Sequence, residues 1–95
     1  MKQLRQTGQF KKDLKRYRNQ RSKLEKLSEL LRLLMNEEEL PKHYKAHILS
    51  GDYDGCMECH IEGDFLLIWI DETTEVIGLL RLGTHSELFG KGLKR

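Results

Sequence analysis

The chain has 95 residues, of which 38% are apolar and 34% charged, and carries a net charge of +2. That length leaves room for one hydrophobic core and not two, and the apolar content excludes disorder over the whole chain. No segment approaches the roughly 18 apolar residues of a membrane span, and the opening MKQLRQTGQF has no apolar run of the signal-peptide kind, so a single cytoplasmic domain over residues 1–95 with reduced thiols is expected.

The N-terminal half reads as helix. Thr7 can cap a segment in which Phe10, Leu14 and Tyr17 recur at i, i+4, i+7, an apolar stripe beneath a basic surface. The SKLE stretch at Ser22–Glu25 has the spacing of a capping box. It introduces a second helix lined by Leu24, Leu27, Leu30, Leu31 and Leu34 and ending near MNEEELP, so that two antiparallel helices turn around RNQR. This half is strongly basic. Residues 1–26 hold ten Lys/Arg against two acids, a net +8, whereas the remaining 69 residues carry seven bases against thirteen acids, a net −6. Such polarity suits either a polyanion-facing surface or simply a well-solvated helix face.

The C-terminal half reads as sheet. FLLIWI at 65–70 is a short continuous apolar run of strand formers, as expected of a strand covered on both faces. GCMECHI at 55–61 precedes it and EVIGLLRL at 75–82 follows. The turn-like EGD and DETTE separate the three, and HIL at 47–49 can add a further short strand. Thr84 and Glu87 form another capping box for a brief terminal helix. The fold class is therefore α+β: an N-terminal helical hairpin packed on a small antiparallel sheet, with a short C-terminal helix.

Cys56-Met57-Glu58-Cys59-His60 has the spacing at which haem is covalently attached. On a strand, however, positions three apart face opposite sides, so the two sulfurs cannot converge on a porphyrin or on one Zn²⁺. Tetrahedral zinc would also need two more ligands, with only His43 or His47 nearby. The cysteines are expected to be ordinary strand residues, with no metal and no cofactor.

His60 then needs another explanation. All four histidines lie beyond residue 42. With a meander in this half, His60 and Asp64 flank one hairpin turn, Arg81 ends a strand, His85 follows the next turn, and His47 leads into the sheet. Taken singly, each histidine reads equally well as a surface or core residue, Phe89 as a plug for the core, and Asp64 beside Gly63 as a turn former. Taken together they suit RNA cleavage without a metal. Imidazoles supply base and acid near neutrality, Arg faces the phosphate, and an aromatic ring can stack a base.

The segments FKKDLKR (10–16), YKAHILSGDYDG (44–55), CHIEGDFLLIWI (59–70) and LLRLGTHSELFG (79–90) resemble the YafQ-like branch of the RelE superfamily of bacterial toxins. The Arg-x-Gly-Thr-His-x-x-Leu-Phe block is the most specific part. The resemblance implies a RelE-like microbial RNase fold and a ribosome-dependent mRNA endonuclease. His47, His60, Asp64 and His85 would act in acid–base chemistry, Arg81 would stabilise the phosphate, and Phe65 and Phe89 would contact substrate. Phe65 stands where some relatives have Trp. The resemblance further implies that the basic hairpin (Lys11, Lys12, Lys15, Arg16, Arg18, Arg21) sits against ribosomal RNA. It also implies a co-encoded antitoxin of the DinJ/RelB kind, with operator DNA reached only through that complex. A non-enzymatic toxin of the same fold, inhibiting gyrase or the ribosome by binding, is the alternative.

Overall fold

Thr7 ends an extended stretch and starts a helix in one step. Its hydroxyl accepts from the Phe10 N–H and donates to the Leu79 carbonyl at 2.9 Å, so a helix cap also ties the helix to a strand far along the chain. In the computed structural model, which describes residues 1–90, this cap joins β1 (Gln3–Gln6) to α1 (Gly8–Arg16). The elements α2 (Arg21–Met35), β2 (His47–Ile48), β3 (Met57–Glu62), β4 (Phe65–Asp71), β5 (Val76–Gly83) and α3 (His85–Phe89) follow. Single 3-10 turns at Lys42–Tyr44 and Gly51–Tyr53 flank β2.

The sheet order is β1-β5-β4-β3-β2. β2 to β5 form the expected antiparallel meander, but β1 adds a parallel edge strand beside β5, making the sheet mixed. Nothing in Gln3-Leu4-Arg5-Gln6 announces a strand, because an edge strand with one partly buried residue has almost no apolar signature. A second correction concerns the SKLE stretch. α2 starts at Arg21 with Gln20 as its N-cap, and no side chain caps it. Ser22 lies inside the first turn, and the helix is fixed by its buried face rather than by a capping box.

That face presents Leu27, Leu30, Leu33 and Leu34 to the sheet. It packs with Phe10 and Tyr17 of the α1 region against Cys59, Ile61, Phe65, Leu67, Trp69, Ile77, Leu79 and Leu82. The alternate residues of β4, Leu66 and Ile68, face the other way into a smaller cluster with Leu49, Cys56, Leu88 and Phe89. Period-two alternation thus places the two long helices on one face of β4 and α3 with the 49–56 segment on the other. This is why 65–69 are buried without interruption. The cysteines obey the same rule: Cys59 belongs to the helix-side cluster and Cys56 to the opposite one, and neither is disulfide-bonded. Burial pushes the Cys59 thiol up to about 12, so it holds its proton.

Candidate functional site

The catalytic candidates gather on the face of the sheet away from the helical hairpin. His47 on β2 stands directly opposite Glu58 on β3, and His60 follows Glu58 by two positions, so all three share one face. Gly63, with φ 36°, makes the tight β3–β4 turn that presents Asp64. The Thr84–Glu87 capping box starts α3 as expected, each side chain taking the other's backbone N–H, and sets His85 at the first helical position. The imidazole centroids of His47 and His60 lie 6.4 Å apart and those of His60 and His85 5.8 Å apart. His47, Glu58, His60 and His85 line an open cleft of about 330 Å³ together with Ser50.

Hydrogen bonds settle where several protons sit. Asp64 Oδ1 accepts from the His85 backbone N–H at 2.8 Å and from its Nδ1–H at 2.6 Å. The backbone bond, with the imidazole bond behind it, holds the Asp64 carboxyl below its usual range. With Nδ1 donating, the other ring nitrogen of His85 is an acceptor. His60 donates its Nδ1–H to the Gly63 carbonyl at 3.3 Å, which likewise leaves its second nitrogen for the cleft. His47 differs. Its Nδ1–H donates to the Lys45 carbonyl at 2.8 Å, while its Nε2 meets Glu58 Oε1 at 3.1 Å. That contact is an ion pair when the imidazole is protonated.

Glu58 was not legible as a site residue from the sequence, and it is the group that stands out. Its side chain is 3% exposed, and Oε2 is buried with no hydrogen-bond partner. A carboxylate two residues before a histidine on the same strand face was the available signal. Asp13 was missed in the same way, although it lies three residues after Phe10 on the stripe that α1 buries. It is 0% exposed and accepts from Arg81 Nε at 2.8 Å, from the Leu82 N–H at 3.0 Å and from Gln9. Burial opposes its ionisation, but the bonds from Arg81, Leu82 and Gln9 outweigh that and hold the carboxyl below its ordinary range.

Phe65, Arg81 and Phe89 are held within the fold. Phe65 is 1% exposed and packs at 4.7 Å from the Tyr17 ring, with the Lys23 ammonium 5.0 Å above it. It belongs to the helix-side core and cannot stack a nucleobase, because its strand position points it away from the histidines. Arg81 is turned into the protein. Nε and Nη2 bind Asp13, Nη1 donates to the Tyr53 hydroxyl and Nη2 reaches the Glu87 carbonyl at 3.5 Å. It therefore ties α1, the 51–53 turn and α3 together. Phe89 is 6% exposed, 6.1 Å from the His85 ring and edge-on to Tyr53 at 5.6 Å, so it forms a wall behind His85 more than an open stacking platform. Lys11, Lys12, Lys15, Arg16, Arg18 and Arg21 are all exposed on the hairpin, on the opposite face of the sheet from the cleft. Arg16 leans toward Asp13 and Glu87.

Over residues 2–90 the chain matches the family described as a bacterial toxin of the type II toxin–antitoxin system, YafQ. It is 38% identical over 85 residues to the mRNA interferase toxin YafQ of Escherichia coli strain K12, covering 88% of this chain and 91% of that protein. Among solved structures it is similar to a chain of the Escherichia coli DinJ–YafQ complex, with a TM-score of 0.83 and 35% identity over 95% of this chain and 100% of the other. It is also similar to a metal-bound toxin from Helicobacter pylori, with a TM-score of 0.84 and 36% identity over 94% of this chain and 100% of the other.

Proposed function

The chain belongs to the YafQ family of bacterial toxins of type II toxin–antitoxin systems, and on that premise we propose that it is an mRNA interferase that cuts RNA by attack of a ribose 2′-hydroxyl on the neighbouring phosphate. The observation that carries this is the His60–His85 pair, two rings 5.8 Å apart whose remaining nitrogens can bracket one phosphodiester.

His85 is the base. Asp64 fixes its Nδ1–H, so the second nitrogen takes the 2′-OH proton. The 2′-oxygen then bonds to phosphorus, and the 5′-oxygen departs with a proton from a protonated His60. This leaves a 2′,3′-cyclic phosphate and a 5′-hydroxyl. His47, on the neighbouring strand, supplies positive charge beside the phosphorane when its ring is protonated. No step requires a metal. The chemistry runs on the ribosome, with mRNA in the histidine cleft and the exposed cations of α1 and α2 against ribosomal RNA, the two faces of the sheet serving different RNAs.

The partner is a co-encoded DinJ-like antitoxin. An apolar trough of about 620 Å³ between α1 and α2, floored by Leu14, Leu24, Leu27 and Leu31 and rimmed by Lys11, Lys15 and Arg18, suits an acidic segment carrying apolar side chains. DNA is reached only through that complex, and the protein acts in the cytoplasm; among the described residues no helix is long and apolar enough to cross a membrane.

The test is primer extension on translating ribosomes. His85→Gln and His60→Gln each lower cleavage at least about tenfold with unchanged circular dichroism. Full cleavage by both variants discards the assignment, and growth arrest that survives their combination with His47→Gln turns the reading to a non-enzymatic toxin.

A further inference from the structure

The β3–β4 turn sets the proton of two cleft histidines. The Gly63 carbonyl accepts from His60 Nδ1 and the Asp64 carboxylate from His85 Nδ1, so two consecutive residues aim the nitrogens left to the cleft. The strand that enters this turn is irregular. His60 pairs with Leu66, but Glu62 and not Ile61 pairs with Phe65, so Ile61 is the extra residue of a bulge. On a regular strand Glu62, two positions after His60, would share its face. The bulge turns it to the other side, toward α2, where Ile61 and Phe65 belong to the helix-side cluster. There Lys23 and Lys26, three positions apart on α2, each donate to a different Glu62 oxygen at 2.6 Å and hold its carboxyl down at about 2. The Lys23 ammonium also lies 5.0 Å over the Phe65 ring, so one side chain grips both strands across the turn.

We propose that Glu62, clamped between Lys23 and Lys26, is a positioning residue for RNA cleavage, holding the bulge and the Gly63–Asp64 turn so that His60 and His85 present their second nitrogens together. Its effect on cleavage rests on the nuclease reading above; its effect on the imidazole protons does not. Exposed ion pairs contribute little to stability, and water reaches both Glu62 and Lys26, so the clamp acts through geometry. Once it is released, the bulge is free to move toward the turn, and a slip of one residue exchanges the faces of the strand end. That carries the Glu62 carboxylate toward the cleft and draws the Gly63 carbonyl away from His60. The His60 bond, at 3.3 Å, is the longer of the two that fix the tautomers and gives way first. His85 is less affected, because its backbone N–H holds Asp64 independently. Glu62 itself does not touch the RNA and works through His60.

Imidazole tautomers are read from two-bond ¹H–¹⁵N spectra of the ¹⁵N-labelled chain at alkaline pH, and turnover from primer extension on translating ribosomes. The wild-type chain is expected to carry the proton on Nδ1 of both His60 and His85. In Glu62→Gln, and separately in Lys23→Gln combined with Lys26→Gln, His60 shifts toward the Nε2–H form. Turnover at saturating ribosomes falls on the order of tenfold in both, while the amide spectrum keeps its dispersion. Glu62→Lys alone is as slow, and adding Lys26→Glu, which restores two ammonium groups around one carboxylate, recovers turnover and tautomer. An unchanged His60 tautomer in both variants overturns the clamp, as does a wild-type His60 protonated on Nε2 or a charge swap that recovers neither property. Full turnover despite a shifted tautomer overturns the role in cleavage. A higher half-saturating ribosome concentration at unchanged turnover makes the two lysines RNA contacts and overturns it as well. A wild-type chain with the expected tautomers that never cleaves RNA removes the nuclease reading, and the spectra of Glu62→Gln still decide the clamp.

Discussion

Asp64 is the most exposed member of the cluster and one of its most constrained. It takes two N–H groups of His85 on a single oxygen, so it fixes both the start of α3 and the tautomer of the ring. Asp64→Asn replaces a carboxylate that only accepts with an amide that can turn a donor toward Nδ1. Cleavage is expected to fall about tenfold or more, while thermal stability moves by about 0.5 kcal/mol or less, as for other exposed substitutions. Equal cleavage rates for the two proteins at saturating ribosome concentration count against an orienting role. Asp13 has the opposite profile, buried and remote from the cleft. Asp13→Ala leaves the Arg81 guanidinium and the Leu82 N–H without their acceptor and costs about 3 kcal/mol. For a chain of this size that is a fall in Tm on the order of 15 °C. The sign with pH follows from the depressed carboxyl. The Asp13 contribution is fully present above the unfolded carboxyl value of about 3.9 and is lost as pH falls through the lower folded value. A denaturant series from pH 6 to pH 2 is expected to show Asp13→Asn losing less stability on acidification than the wild-type chain.

Caps and covers decide how the elements hold the site. Thr7 is bonded both to the first turn of α1 and to β5, so Thr7→Ala is expected to cost about 1–2 kcal/mol. Ser22 sits within α2 with no capping bond, and Ser22→Ala should lie within about 0.5 kcal/mol of wild type. Urea melts of the two variants separate the capping box that the SKLE spacing suggests from the cap that the fold uses. α3 has only five residues, too few to persist alone. It is pinned by its own capping box, by Tyr17 Oη donating to Glu87 at 2.5 Å, by Tyr53 Oη donating to the Leu88 carbonyl and by Asp64. Burial, reinforced by the Glu87 bond, raises the Tyr17 hydroxyl above its usual range, so that donor keeps its proton at any working pH. Three segments distant in sequence therefore help position the helix that carries His85.

Charge acts over the whole molecule. The helical hairpin concentrates exposed cations on one face while the histidine cleft opens on the other, so reversing charge on the hairpin leaves the reacting groups in place. Lys11→Glu, Lys12→Glu and Lys15→Glu together should weaken co-sedimentation with ribosomes and flatten its dependence on salt. Ribosome binding that keeps its affinity and salt slope in the triple variant would detach the hairpin from ribosomal RNA. Within the core, β4 carries both clusters, and truncating Leu67, which is fully buried on the helix side, is expected to cost about 2–5 kcal/mol.

Periodicity alone determined much of this protein. The stripe of α1 and the leucines of α2 set the helical hairpin, the unbroken apolar run 65–70 set a central strand covered twice, and the three-residue spacing of Cys56 and Cys59 put them on opposite faces. The grouping of the candidates was also legible: His47, His60, Asp64 and His85 are drawn from motifs whose strand and turn positions bring them to one place. Tertiary structure decided what local pattern does not encode. β1 is a strand because β5 offers an unpaired edge, not because Gln3-Leu4-Arg5-Gln6 favours one. Phe65 is core and Arg81 is tied to Asp13 because facing and pairing depend on which element lies across from a residue. Glu58 became visible only when its partner strand brought His47 to one oxygen and left the other without a donor, since burial of a charge is a property of the assembled fold and not of the chain beside it.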